Sequence, residues 1–373
     1  MAKKPIGIGV IGCGGFGQYA LQQFSQIPGT ELIGMASTFE SAAEAAAKRL
    51  GIPDFGETEN LIARNDVDLI YIATPPFLHY EQAMAALRAG KHVITEKPFA
   101  MTIDQADEMI TTARENNLLV VADLMQRYNP LYNAVAQIIE AGTLGEPLHA
   151  YFENYAADEG LDPDHWFWDR EKSGGIFVEH SVHFFDLFSG WFGEGNVEAA
   201  QNSFRPGTGI EEQVQCTIRY GDTILVNFYH GFHQPYRMDR QEIRILFERG
   251  DVTLEEWVPT RIKIRAILDE AAIGQLREIL PDATFDCPER YPPGYRACRG
   301  RHKDLDVVQY AEITQGQGLK KYKRYGRLLR ALFEDQIAWI RDRNHERVIT
   351  QENGRQSLAD ALAADQLATE NSG

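Results

Sequence analysis

The chain has 373 residues, of which 44% are hydrophobic, and its formal net charge at neutral pH is −17. This length predicts two domains, and the negative charge argues against a nucleic-acid or anionic membrane partner. The sequence has no apolar run long enough for a transmembrane helix, no signal-peptide pattern, and four widely spaced cysteines. We therefore expect a cytoplasmic protein with no disulfide framework and no metal site.

A glycine-rich loop follows the first predicted strand. Residues 6–11 alternate glycine with β-branched residues, and residues 12–17 read GCGGFG before a helical apolar pattern begins. In this strand–turn–helix context, Gly12 permits a tight turn, Gly14 lets the backbone approach a pyrophosphate, and Gly17 lets the helix pack on the strand. A glycine-rich turn without a ligand is the alternative. The residues predicted to contact a dinucleotide here are Gly12, Gly14, Gly15, Phe16 and Gly17.

The second predicted strand, residues 32–37, ends without the acidic residue that usually binds the ribose 2′-hydroxyl of NAD. Ser37 and Thr38 stand there instead, and their hydroxyls could donate to a 2′-phosphate. The pattern therefore predicts NADP or NAD as the cofactor and favours NADP. Alternatively, Ser37 caps the helix that begins near Ser41.

Strands and helices continue to alternate up to residue 122, which predicts a doubly wound parallel sheet with helices on both faces. The predicted strands are 68–73, 92–95 and 118–122, and the predicted helices are 79–89 and 103–116. Thr74 and Pro75 follow a strand, where a cofactor would pass, although they could simply end that strand. His79 could contact the cofactor or could be a histidine at a helix start without a ligand.

The stretch 93–99, VITEKPF, places Glu96 and Lys97 at the carboxyl end of a predicted strand. Ligands of open α/β sheets bind at this end of the strands, and Pro98 fixes the backbone just beyond. We predict that Lys97 is catalytic and that Glu96 and Lys97 also contact the cofactor. A Glu–Lys pair exposed at a strand end is the alternative.

The pattern changes after residue 125, where we place the boundary between residues 1–125 and 126–373. Longer alternating strands then predict a mostly antiparallel sheet, in the ranges 148–155, 213–220, 223–229, 242–247 and 252–256. Arg127 and Tyr128 lie in a polar junction at the boundary and are predicted to bind substrate. The residues after 326 read as helices that pack back on the body of the protein.

A second cluster of polar residues lies between residues 164 and 186. His165 and Trp166 combine an aromatic surface with hydrogen-bonding groups and are predicted to bind a sugar, although a hydrophobic cover is an equal alternative. Glu179 and His183 are four residues apart, which places them on one face of an α-helix with Asp186 nearby. A carboxylate can orient an imidazole and favour its protonated form, as general acid–base catalysis requires. The alternatives are a structural histidine or an incomplete metal site.

Together these motifs resemble the glucose–fructose oxidoreductase/inositol dehydrogenase (MocA-type) family. The shared motifs are Gly12-x-Gly14-x-x-Gly17, Ala73-Thr74-Pro75, Gly90-Lys91-His92-Val93, Glu96-Lys97-Pro98, Gly142-Thr143-Leu144-Gly145, and Gly174-Gly175 through His183. The resemblance implies a Rossmann domain followed by an α/β domain with an open sheet. It also implies that Lys97, Glu179 and His183 are catalytic, with Glu179 standing where the family usually has Asp.

The resemblance implies NAD(P)-dependent oxidation of a sugar, sugar acid or cyclitol hydroxyl. In this hypothesis His183 takes the hydroxyl proton, Glu179 orients His183, and Lys97 binds the reacting oxygen, with Asp186 among the substrate-binding residues. One alternative is an aldose–aldose oxidoreductase or redox-assisted glycosidase that keeps its cofactor tightly bound. Another is a catalytically silent protein that senses sugar or cofactor. The open sheet face predicts a homodimer or homotetramer.

Overall fold

The computed structural model describes residues 4–37, 40–53, 55–158, 160–292, 294–295, 298–316 and 318–371, without the side chains of residues 40–43. Its residues group into two compact units. The first unit contains the chain through Met125 together with Asp162–Asp186 and Tyr325–Asp365, and the second contains the rest. One division falls after residue 125, as the sequence suggests. The two-domain assignment stays a prediction, because the first unit also includes two later segments.

The first unit contains a five-stranded sheet in the order β2-β1-β3-β4-β5. All four strand pairs are parallel, which confirms the predicted fold class. The strands are β1 (Ile6–Ile11), β2 (Thr30–Ala36), β3 (Leu69–Ile72), β4 (His92–Thr95) and β5 (Val120–Ala122). The helices that alternate with them are α1 (Gly15–Phe24), α2 (Glu40–Leu50), α3 (Thr58–Ile62), α4 (His79–Arg88) and α5 (Ile103–Glu115).

The strand order of this sheet reverses between β1 and β3. Gly12 follows β1 and Ala73 follows β3, and the Ala73 amide donates a hydrogen bond to the Ile11 carbonyl at 2.8 Å. The loops that leave the two strands turn to opposite sides of the sheet at such a point and leave a crevice between them. The fold therefore places the glycine loop and the segment from Thr74 at the edge where dinucleotides bind in doubly wound sheets.

Two long C-terminal helices contribute to the first unit. They are α10 (Lys321–Arg341), which enters this unit at Tyr325, and α11 (Gln351–Asn371), which leaves it after Asp365. Phe333 of α10 is fully buried, and its ring stacks on Phe24 at a centroid distance of 3.6 Å and meets the edge of Tyr71 at 5.3 Å. These contacts bury large apolar surfaces, so α10 forms part of the core beside the sheet.

The second unit contains a nine-stranded sheet in the order β13-β16-β12-β11-β10-β6-β9-β8-β7. Its pairs are antiparallel except for β6 with β9, as expected for a mostly antiparallel sheet. Its strands are β6 (Pro147–Ala157), β7 (Gly195–Phe204), β8 (Glu211–Tyr220), β9 (Ile224–Gln234), β10 (Arg240–Phe247), β11 (Gly250–Glu255), β12 (Arg261–Leu268), β13 (Thr284–Arg290) and β16 (Gln309–Gly316). A hairpin pairs β14 (Arg299–Gly300) with β15 (Lys303–Asp304).

Among the described residues, four more α-helices complete the fold, and the nine-stranded sheet has one buried face and one face that carries a depression. The remaining helices are α6 (Pro130–Glu140), α7 (Arg170–Ser173), α8 (Val182–Phe192) and α9 (Glu270–Ile279), of which α7 belongs to the first unit. One face of the sheet is buried, where Phe228 meets Phe188 at 5.0 Å between ring centroids. The other face carries a depression of about 530 Å³ lined by polar and aromatic side chains, including Tyr151, Tyr155, Gln215, Asn227 and Tyr229. None of the helices that the structure describes is long and apolar enough to cross a membrane.

Candidate active site

The glycine loop forms an open cradle between β1 and α1. Gly12 has a φ of +108°, and a Cβ atom there would lie 2.5 Å from the Ala73 carbonyl oxygen. A Cβ atom on Gly17 would lie 2.1 Å from the Gly12 carbonyl oxygen, so helix and loop approach as closely as the motif requires. A Cβ atom on Gly14 or Gly15 would meet no atom within 4 Å. This open space before the N-terminus of α1 fits a pyrophosphate.

Three further residues, Phe16, Ser37 and Thr38, were predicted to contact the cofactor. The ring of Phe16 packs against Tyr325, at 5.5 Å between centroids, and against Tyr19 at 6.1 Å. Ser37 lies buried after β2, and its amide donates to the Gly56 carbonyl at 3.0 Å. Thr38 lies outside the described residues. The cofactor contacts predicted for Phe16, Ser37 and Thr38 remain predictions.

His79 links two of the strand-end loops. Its imidazole is fully buried, with Nδ1 2.8 Å from the Pro98 carbonyl oxygen and Nε2 2.9 Å from the Thr74 carbonyl oxygen. Burial lowers the pKa of His79, although the two carbonyl contacts oppose this shift. Because the ring is enclosed, its visible role is to tie the segment at Thr74 and Pro75 to the segment that follows Lys97. A direct contact of His79 with a cofactor stays a prediction.

Lys97 and Glu179 form a largely buried ion pair. The Lys97 ammonium donates to the Glu179 backbone carbonyl at 2.8 Å and also pairs with the Glu179 carboxylate. The two side chains are 18% and 10% exposed. Two hydrogen bonds to one residue fix the direction of the ammonium at the end of β4. The structure therefore brings together two residues that are 82 positions apart in the sequence.

The helical geometry around Glu179 departs from the expected α-helix. Residues Phe177–Ser181 form a π-helical turn that follows two helical residues, and α8 continues from Val182. A π-helical turn bonds i to i+5 and shifts the direction of side chains, and such turns are frequent at functional sites. The assumption of regular α-helical spacing between Glu179 and His183 is therefore wrong.

The expected charge state of His183 is also wrong. We expected Glu179 to favour the protonated imidazole, but the pKa of His183 is lowered to about 3, first by burial and second by the Lys97 ammonium. The Glu179 carboxylate pairs with Lys97, so its charge is matched there. His183 is consequently neutral near pH 7, which is the form that can accept a proton.

A cluster of carboxyl and phenol groups surrounds Glu96 and was missed in the sequence. The hydroxyl of Tyr71 hydrogen-bonds the Glu96 carboxylate and lies 3.1 Å from Oδ2 of Asp123. Burial, above all, raises the pKa of Glu96 and holds the pKa of Asp123 well above its usual range. Asp123 was visible as the first polar residue after a strand, but Tyr71 reads simply as part of a buried strand. The predicted cofactor contact of Glu96 remains a prediction.

The residues predicted to bind substrate fall in both compact units. In the first, Nδ1 of His165 accepts from the Phe167 amide at 3.3 Å, and its ring lies 5.2 Å from that of Trp166. Asp186, also in the first unit, is buried and accepts a hydrogen bond from the Asn353 side chain at 3.3 Å. Asn353 lies on α11, so Asp186 has a visible structural role.

Arg127 and Tyr128 belong to the second unit and are half-buried in the turn Met125–Tyr128. The Arg127 guanidinium lies close to Gly190, where an added Cβ atom would approach its Cζ atom to 2.9 Å. The substrate contacts of these two residues and of the three above remain predictions. Across the part of the chain that the structure describes, no group of three or more His, Cys, Asp and Glu side chains could hold a metal ion.

Comparison with known proteins identifies two matching family regions. Residues 6–124 match the family described as "Oxidoreductase family, NAD-binding Rossmann fold", and residues 132–253 match the "GFO/IDH/MocA C-terminal domain". Among solved structures, the WlbA dehydrogenase from Bordetella pertussis, in complex with NADH and UDP-GlcNAcA, has a TM-score of 0.78 at 21% identity. That alignment covers 100% of this chain and 97% of the other, and at this identity it shows the fold.

Two curated relatives align over shorter regions. The 1,5-anhydro-D-fructose reductase of Ensifer adhaerens is 31% identical over 211 residues, which is 55% of this chain and 62% of that protein. The scyllo-inositol 2-dehydrogenase (NAD(+)) of Bacillus subtilis strain 168 is 27% identical over 180 residues, 48% of this chain and 51% of that protein. The chain thus spans between half and two thirds of the length of these relatives.

Two glycine substitutions should separate cofactor binding from folding. In Gly14→Ala the new methyl group enters the open cradle, so we expect a folded protein whose Kd for NAD(P)H rises by about tenfold or more. In Gly17→Ala the methyl group collides with backbone, so we expect a loss of about 1–3 kcal/mol of folding stability. Cofactor fluorescence titration and urea unfolding measure the two effects. Normal cofactor affinity in Gly14→Ala would contradict the placement of the pyrophosphate.

The low pKa of His183 predicts a specific loss of stability in acid. The unfolded chain protonates this histidine near pH 6.5 and the folded chain only near pH 3, so stability falls as the pH drops through this window. Between about pH 7 and pH 5 this contribution is on the order of 2 kcal/mol. The change in unfolding free energy over this interval should therefore be smaller in His183→Gln than in wild type. The exposed His302→Gln is the control, and equal changes in all three proteins would contradict the assignment.

Proposed function

Because the chain belongs to the GFO/IDH/MocA oxidoreductase family, we propose that it is an NAD(P)-dependent oxidoreductase of sugars, sugar acids or cyclitols. It would transfer a hydride between the nicotinamide and a hydroxyl or carbonyl carbon of its substrate. The observation that supports this most directly is the Lys97 ammonium, which is held by Glu179 at the sheet edge and which helps to lower the pKa of His183. The names of two relatives, a reductase of an anhydro sugar and an inositol dehydrogenase, agree with this substrate class.

The open cradle at Gly14 and Gly15 would hold the pyrophosphate through backbone N–H groups at the start of α1. When bound, the nicotinamide supplies the acceptor for the electrons of the substrate C–H bond. Thr74 and Pro75 border the same crevice. Their position is fixed from behind by His79, which also contacts the Pro98 carbonyl.

Lys97 is the residue that we assign to the reacting oxygen. A lysine ammonium has three N–H donors, and Glu179 accepts two of them through its backbone carbonyl and its carboxylate. The third donor would bind the substrate hydroxyl and stabilise the negative charge that grows on its oxygen as the C–H bond breaks. We therefore assign Glu179 to the positioning of Lys97. The sequence had predicted that Glu179 orients His183 instead.

His183 is the residue that we assign to the hydroxyl proton. Its imidazole is neutral near pH 7, because burial and the Lys97 charge both lower its pKa. A neutral ring nitrogen within reach of the hydroxyl can accept the proton directly as a general base. In the reductive direction the same nitrogen would return a proton to the alkoxide oxygen.

The residue at the end of β2 supports a proposal on the choice between NADP and NAD. Ser37 stands where an acidic residue would bind the ribose 2′-hydroxyl and repel a 2′-phosphate, so we propose a preference for NADP. Two of the similar proteins carry NADH or NAD(+) in their names, so both cofactors belong in the test. We further propose a homodimer or homotetramer that covers the exposed face of the nine-stranded sheet, with light scattering as the test.

Cofactor titration followed by a substrate screen tests the proposed function. We expect NADPH to bind more tightly than NADH and at least one sugar, sugar acid or cyclitol to change the absorbance at about 340 nm. Protein purified with redox-active cofactor already bound would instead favour an internally cycling oxidoreductase. Substrate binding without any absorbance change over the whole panel would favour a catalytically silent sensor.

Replacement of the lysine tests its role in the reaction. Lys97→Ala removes the donor to the reacting oxygen, so turnover should fall by about two to four orders of magnitude, in the range of a lost acid–base or electrostatic group. Cofactor affinity and KM should change much less than kcat. Lys323→Ala, an exposed lysine on α10, serves as the control and should retain turnover. A Lys97→Ala enzyme with near-normal kcat would remove Lys97 from the mechanism.

A further inference from the structure

Three neighbouring strands deliver Tyr71, Glu96 and Asp123 to one place. The register pairs Ile72 with Thr95 and Thr95 with Ala122, so Glu96 and Asp123 occupy adjacent positions just beyond β4 and β5. The backbone ladder continues through these residues. The Glu96 amide donates to Ile72 and the Asp123 amide donates to Thr95, both at 2.7 Å. The backbones of the two residues are thereby held at the ordinary strand spacing of about 4.8 Å. Their carboxyl groups are hydrogen-bonded to each other.

The hydroxyl of Tyr71 lies between the two carboxyl groups. It contacts the Glu96 carboxylate and lies 3.1 Å from Oδ2 of Asp123. Tyr71 is fully buried, Asp123 is 1% exposed and Glu96 is half-buried, so little water can compensate for charge at Asp123. A hydroxyl carries one hydrogen and can donate to only one of the two carboxylates. If both acids were ionised, the Tyr71 hydroxyl could donate to only one of them. Its oxygen would then face an oxygen of the other carboxylate with no hydrogen between the two atoms.

The nearest cation does not neutralise this pair by direct contact, because the Lys97 ammonium is directed to Glu179. The groups that face the pair are the Tyr71 and Tyr325 hydroxyls, the Lys97 ammonium and, near Tyr325, the Glu179 carboxylate. Burial is the largest influence on Glu96 and Asp123 and raises the pKa of both, while Lys97 opposes the rise at Glu96. Two like charges so close together cannot both form at low cost.

We propose that Glu96 and Asp123 share one proton at neutral pH and that this protonated pair, bridged by Tyr71, is a positioning device for Lys97. With one proton present, the ammonium keeps its contacts to Glu179. Loss of this proton would leave both Glu96 and Asp123 negatively charged. Because Glu96 directly precedes Lys97, the added charge would draw the Lys97 ammonium away from Glu179. The inferred role in positioning Lys97 rests on the proposed function, whereas the inference of a shared proton does not.

Infrared difference spectroscopy tests the shared proton without any assay of activity. A protonated carboxyl group has a C=O stretch that an ionised carboxylate lacks, so wild type minus Asp123→Asn should show this band at neutral pH. The amide introduced in Asp123→Asn stays neutral and can donate to the ionised Glu96. Glu96→Gln should remove the same band, because Asp123 could then ionise against two donors, the introduced amide and the Tyr71 hydroxyl. Asp66→Asn, at an exposed ion pair with Arg64, is the control.

Each spectroscopic outcome has one meaning for the proposal. Loss of the band in both Asp123→Asn and Glu96→Gln supports one proton held by the pair. Retention of the band in both variants means that each acid holds a proton of its own or that the band arises from other groups, and it overturns the proposal. Absence of the band in wild type means that the pair is fully ionised and also overturns the proposal. Loss in only one variant means that a single acid carries the proton, which also overturns sharing. In Tyr71→Phe the band should persist to higher pH, because the ionised pair loses its donor.

The pH dependence of stability provides an independent measurement. The folded chain holds a proton that the unfolded chain releases above the ordinary carboxyl range, so this cluster makes wild type less stable as the pH rises. Asp123→Asn lacks this term, and its Tm relative to wild type should increase between about pH 5 and about pH 9. A Tm difference that stays constant across this range would contradict the proposal even if the variant were less stable overall.

The role in positioning Lys97 is read from the pH profile of turnover. Wild-type kcat should fall at alkaline pH as the pair loses its proton, and this fall should be absent in Asp123→Asn while KM changes little. An unchanged alkaline limb together with the expected infrared result would reject the positioning role and keep the shared proton. Lack of all turnover in wild type would instead reject the proposed function. The shared proton would still be tested by the infrared and stability measurements, which do not depend on activity.

Discussion

The ion pair between Lys97 and Glu179 joins the two segments on which the chemistry of this protein depends. Lys97 is fixed by the end of a short parallel strand, and Glu179 is fixed by a π-helical turn that interrupts the approach to α8. The backbone carbonyl of Glu179, which lies within this π-helical turn, accepts a hydrogen bond from the ammonium. Side chain and main chain of one residue thus hold the lysine, and the burial of the pair makes its geometry strict.

The charges around this pair are distributed with little redundancy. Glu179 compensates Lys97, Lys97 disfavours a positive charge on His183, and burial raises the pKa of the two acids Glu96 and Asp123. These groups therefore interact electrostatically with one another. A substitution at one position should be felt by the others, so single variants at these residues will not have additive effects.

The parts of the site that follow from local chain geometry could be predicted from the sequence. Glycine is required at positions 12 and 17 because a Cβ atom there would lie within 3 Å of a backbone oxygen. The position of Lys97 follows from the strand that precedes it. The Tyr71–Asp123 contact could not be predicted, because it depends on the register of three strands. The π-helical turn at Glu179 also lacked a local signal. The alternation in Arg261–Leu268, by contrast, was readable as a strand and was overlooked.

The first unit is completed by residues that lie far apart in the sequence. Its sheet is made of the first third of the sequence, but Phe333 fills the space between Phe24 and Tyr71, and Gly354 fits closely against Phe99 and Ala122. A ribosome therefore releases all five strands of this sheet long before the helices that cover it. Until α10 and α11 are synthesised, the apolar surface that they cover stays exposed, and we expect chaperones to bind the first unit at this stage.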